Sequence, residues 1–129
     1  MAETATIFRV AIDLTDLDRG VYASLDLSVA RHPSETSEHM LVRVLAYCLE
    51  YHEGIAFTQG VSAGDEPAIV IRDLTGQLTA WIEVGLPDSP RLHRARKAAV
   101  HVAVYTHRDI RQWLLSDRKS TRLNSSHLG

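Results

Sequence analysis

The chain has 129 residues, of which 45% are hydrophobic, 23% charged and 6% aromatic, and a formal charge of -2. This composition excludes a disordered or collagen-like chain and suits one domain around one core. The charge excludes a protein that draws in polyanions by its overall field, so contact with nucleic acid would need a local basic patch.

Cys48 is the only cysteine, so no intrachain disulfide can form and a reducing compartment is expected. No apolar run approaches the roughly 18 residues of a membrane span. The first residues lack the basic-then-apolar order of a signal peptide. A cytoplasmic protein without membrane contact is the expectation.

From Thr4 to Leu14, Phe8, Val10 and Ile12 alternate with Arg9, Ala11 and Asp13, which predicts a strand. After a turn around Asp18-Arg19-Gly20, Ala23, Leu25, Leu27 and Val29 alternate with Ser24, Asp26 and Ser28. The two segments form an antiparallel hairpin with one wet face. Pro33 interrupts the second strand, and Ser34 or Thr36 can cap a helix running to about Tyr51. Its apolar stripe is read as Leu41, Val44, Leu45, Cys48 and Leu49, with Glu38 beside it and directed toward the sheet.

A loop over Gly60 to Gly64 leads to Asp65-Glu66-Pro67, then strands Ala68 to Arg72 and Leu78 to Val84 joined by a tight turn at Asp73 to Gln77. Ser89 as cap and Pro90 as first residue open a second helix, which carries Arg91, His93, Arg94, Arg96 and Lys97. Val100 to Thr106 reads as a strand and Ile110 to Leu115 as a short helix. Residues 1–117 form the expected domain. Residues 118–129 are polar and aperiodic, and resemble a translated sequencing-adaptor read rather than natural sequence. Without the stretch from Asp117 onward, 11 basic residues face 15 acidic ones, so the domain itself is more acidic than the whole chain.

Three acids lie at the edges of predicted elements: Glu38, Asp65 and Glu83. Carboxylates converging at a strand end can hold a hard divalent cation such as Mg2+ with water still bound. Each taken alone also suits a solvated or capping role. Glu83 stands out because Trp81, Ile82 and Val84 belong to a core strand, where an unpaired charge is costly. The basic helix is either a solvated surface or a phosphate contact. Lys97 is the sole lysine outside the tail, so a mechanism that needs one has no other choice. The histidines have no metal-ligand spacing, and Cys48 reads as core.

Ala30-Arg31-His32-Pro33-Ser34-Glu35-Thr36, with Glu38, Met40 and Arg43, then Asp65-Glu66-Pro67, Trp81 to Asp88, Arg91 and Arg94, closely resemble the YaeQ family. That family resembles restriction endonucleases of the PD-(D/E)XK superfamily. The resemblance implies an α/β (α+β) fold, a mixed β-sheet flanked by helices, here lacking the family's C-terminal strands. It also implies metal-dependent phosphodiester cleavage on DNA or RNA. By position, Glu38 matches the superfamily's helical acid, Asp65 its metal-binding aspartate and Glu83 the acid of its E-x-K element, around Mg2+ or Mn2+. Gly85 stands where the lysine belongs, which makes Arg94 a phosphate contact beside Arg91 and Lys97 a surrogate catalytic lysine. The alternatives are an inactive nucleic-acid-binding or regulatory protein with the same fold, and a protein-binding adaptor.

Overall fold

A computed structural model describes residues 4–59 and 66–115. In chain order the elements are β1 (Thr6–Asp16), β2 (Val21–Arg31), α1 (Ser37–Leu49), β3 (Ile55–Phe57), β4 (Ile69–Arg72), β5 (Leu78–Val84), α2 (Ser89–Ala98) and β6 (His101–Tyr105). A short helical segment follows at 111–115. The expected mixed α/β fold with flanking helices is present, divided into two sheets.

β1 and β2 form a two-stranded antiparallel hairpin, in register from Thr6 opposite Arg31 to Asp16 opposite Val21. Its alternation works as the sequence predicts: Leu25, Leu27 and Val29 are buried, with Val10, Ile12 and Leu14 packed against them. The second sheet has the order β3-β4-β5-β6, antiparallel except for the parallel β5–β6 pair, which is linked through α2. β3 is absent from the sequence-based expectation because three residues carry too little periodicity to register.

α1 packs against β2 on one side and against the four-stranded sheet on the other. Successive helical residues turn by about 100°. Val44 and Ala46 therefore point far apart with Arg43 between them, and these three positions are buried. Met40, Val44 and Cys48 meet the hairpin, while Ala46 meets Ile69, Ile71, Ala80 and Ile82. This corrects the predicted stripe: Leu41, Leu45 and Leu49 occupy the remaining side and are exposed. Spacing of three and four is common to both sets, and only the presence of two sheets selects between them.

Caps fix both ends of α1. Thr36 accepts a hydrogen bond from His39 N at 3.1 Å. The last turn of α1 has no basic residue, and Arg19, from the distant hairpin turn, donates instead to the carbonyls of Tyr51 at 2.6 Å and Cys48 at 3.3 Å. The helix ends at Leu49, two residues earlier than expected.

Candidate functional site: two ion-pair centres on opposite sheet faces

Along β5, side chains alternate between the sheet's faces. Ile82 joins Ala46 of α1, whereas Glu83 turns to the opposite face and meets α2. There it is 5% exposed. Its Oε2 accepts hydrogen bonds from the Trp81 indole at 2.8 Å and from Arg91 Nε at 2.5 Å. Arg91 also donates to the carbonyl of Glu66, at the entry to β4. Its position depends on the start of α2, where Asp88 is the cap and accepts from Arg91 N at 2.9 Å. The expected cap, Ser89, is the first helical residue, because the Asp88 carboxylate accepts more strongly than a hydroxyl and better complements the positive helix end.

The three predicted acids are not gathered around this point. Glu38 lies in the first turn of α1, exposed, instead of pointing to the sheet. The buried direction at the start of that helix is taken by Met40 and Arg43. Asp65 lies outside the described residues. Among the described residues no group of three His, Cys, Asp or Glu side chains could hold a metal ion. Glu83 is already neutralised by Arg91, so a magnesium centre does not fit the donors described. Arg94 and Lys97 are exposed on α2, and Lys97 stands about 9 Å along the helix axis from Arg91.

A second centre lies on the α1 side. Glu35 is 4% exposed and grips Arg43 through two parallel hydrogen bonds, Nε to Oε2 at 2.7 Å and Nη2 to Oε1 at 2.8 Å. His39 Nδ1 lies 2.5 Å from the same Oε2, and its Nε2 lies 3.2 Å from the Val84 carbonyl. Burial acts to raise the Glu35 carboxyl, but the hydrogen bonds from Arg43 and His39 outweigh it and hold it below the ordinary carboxylate range. Glu35, His39 and Arg43 are spaced at four and four. That spacing was legible, yet Glu35 reads from sequence as one more acid beside a helix start.

Against this centre lies a cavity of about 380 Å³ between the start of α1, the end of β5 and the segment after β6. His39, Gly85, His107 and Arg108 contribute to its wall.

Comparison with known proteins sets these features in a lineage. The profile of the family described as "YaeQ protein" matches residues 1–128. The chain belongs to the YaeQ family. It is 41% identical over 107 residues to "Uncharacterized protein YaeQ" of Escherichia coli (strain K12), covering 83% of this chain and 59% of that one. The Salmonella typhi YaeQ protein matches with the same identity and coverage. The crystal structure of YaeQ protein from Pseudomonas syringae superposes with a TM-score of 0.84 at 40% identity, covering 90% of this chain and 66% of that one. The YaeQ protein of Xanthomonas axonopodis pv. citri gives 0.74 at 40% identity, over 78% and 57%. The chain thus spans somewhat under two-thirds of the length of its curated YaeQ relatives. No helix among the described residues is long and apolar enough to cross a membrane.

Proposed function

We propose that this YaeQ chain is a nucleic-acid-binding protein that keeps a PD-(D/E)XK-like, restriction-endonuclease-like scaffold without a working metal centre. The observation that carries this reading is the Glu83–Arg91 pair. The carboxylate assigned by resemblance to a metal is engaged by Trp81 and Arg91. Gly85 stands where a catalytic lysine would be. Phosphate contact then falls to His93, Arg94 and Lys97, which lie exposed on α2.

Metal-dependent cleavage of DNA or RNA with Mg2+ or Mn2+ is the second reading. What favours it is that the Glu83 carboxylate and the Glu66 carbonyl meet at one guanidinium, so two oxygen donors lie close together. One experiment separates the two. Magnesium and manganese are titrated calorimetrically, and labelled DNA and RNA are followed for binding and cleavage, beside Glu83→Ala and an Arg94→Ala/Lys97→Ala double variant. The first reading expects binding without cleavage, with a logarithmic salt slope about two units shallower in the double variant. Cleavage that requires both the ion and Glu83 would establish the second. Absence of binding and cleavage would overturn both.

A further inference from the structure

We propose that the cavity between the start of α1, the end of β5 and the segment after β6 binds a small phosphate monoester. It lies on the α1 side of the sheet, opposite α2, and so is separate from the nucleic-acid surface proposed above. Its volume of about 380 Å³ is at the small end of the about 300–1,000 Å³ typical of small-molecule sites. That favours a compact ligand over a length of polymer.

The wall is cationic once its internal pairs are balanced. Among the described residues Glu35 is the one carboxylate in it, and it is matched by the bidentate Arg43. His39 stands between two groups that can only accept, the Glu35 carboxylate and the Val84 carbonyl. The ring can donate to either of them. Arg108 supplies a further cation, and among the described residues its side chain has no hydrogen-bond or ion-pair partner, since only its backbone N–H is engaged, with Thr106 Oγ1 at 3.1 Å.

Hydroxyl donors complete the set. Thr36 Oγ1 accepts from His39 N, and Thr106 Oγ1 accepts from Arg108 N. Each hydroxyl therefore retains its own proton to donate to a ligand. A planar guanidinium with two hydroxyl donors suits a tetrahedral oxyanion with several acceptor oxygens. Gly85, at φ +111°, lines the cavity without a side chain to fill it.

The test titrates the full chain with inorganic phosphate, adenosine 5'-monophosphate and adenosine, by calorimetry and by amide chemical shifts. Arg108→Ala is compared with Arg9→Ala, which lies on β1 away from both proposed sites. Both arginines are exposed, so neither substitution threatens folding. The expected result is binding of a phosphate-bearing probe but not of adenosine, weakened about tenfold or more by Arg108→Ala and unchanged by Arg9→Ala. Tighter binding of the nucleotide than of phosphate would identify a phosphorylated metabolite as the ligand, and equal affinity would identify free phosphate. No binding of either, or binding indifferent to Arg108, overturns the proposal without touching the reading of α2.

Discussion

Arg43 and Glu35 form a bidentate ion pair at the start of α1, with both hydrogen bonds under 3 Å and both side chains almost wholly buried. Arg43 also donates to the Ala30 carbonyl at 2.8 Å and sits 5.5 Å from the Phe57 ring centre. One guanidinium thereby connects the end of β2, the turn before α1 and β3.

This pair predicts an acid-sensitive fold. The folded Glu35 carboxyl lies below its ordinary value near 4.5, so the unfolded chain takes up the proton first as pH drops. The stabilisation is complete above the ordinary value and is lost as pH falls through the lowered folded one. Glu35→Gln should lower the melting temperature at pH 7 and flatten its decline as pH falls below that ordinary value. An acid profile parallel to that of the unsubstituted protein would refute this.

On the other face Arg91 holds Glu83 through its Nε. Arg91→Ala leaves a buried carboxylate with only the Trp81 indole, and such losses cost about 3–5 kcal/mol. Arg91→Lys should recover only part of this, because an ammonium cannot reproduce the guanidinium's divergent contacts to Glu83 and Glu66. Urea unfolding of both variants measures it. A cost for the alanine variant below about 1 kcal/mol, the range of exposed pairs, would contradict the role assigned to Arg91.

Gly54 and Gly76 provide a paired test of backbone packing. Both have positive φ, +92° and +87°. A Cβ at Gly54 would come 2.1 Å from the Arg72 carbonyl oxygen, whereas one at Gly76 meets nothing within 4 Å. Gly76→Ala should cost about 1 kcal/mol, the conformational penalty alone. Gly54→Ala must in addition displace the β4 backbone, where Arg72 N donates to the Gly54 carbonyl at 3.2 Å. Equal unfolding free energies for the two variants would show that β3 and β4 tolerate separation.

Much of this fold was legible because it follows from patterns of period two. The hairpin's inner face, the span of β5 and the Asp73 to Gln77 turn come directly from side-chain alternation and turn chemistry. The sites were harder. Glu83 was identifiable as an acid in a core strand, but its partner Arg91 lies eight residues on, across a turn and a helix start, and nothing local joins them. Glu35 was hidden for a similar reason: its burial depends on Arg43, two helical turns away, being drawn inward between two sheets. Residue types revealed which groups needed partners, and the tertiary arrangement alone determined which partners they found.

The same two-sided packing of α1 gives a contrast between adjacent residues. Val44 is 8% exposed in the core under the hairpin, while Leu45 is 60% exposed, although both stand in the predicted stripe and Leu45 is the larger. Val44→Ala should therefore cost about 1–3 kcal/mol through lost burial and a residual cavity. Leu45→Ala should change stability by less than about 0.5 kcal/mol, the usual range of surface substitutions, with alanine's higher helix propensity offsetting the small loss of contact. Chemical denaturation of the two variants decides the matter. A larger loss at Leu45 than at Val44 would mean that in solution Leu41, Leu45 and Leu49 are covered and that the outward side of α1 is a packed face.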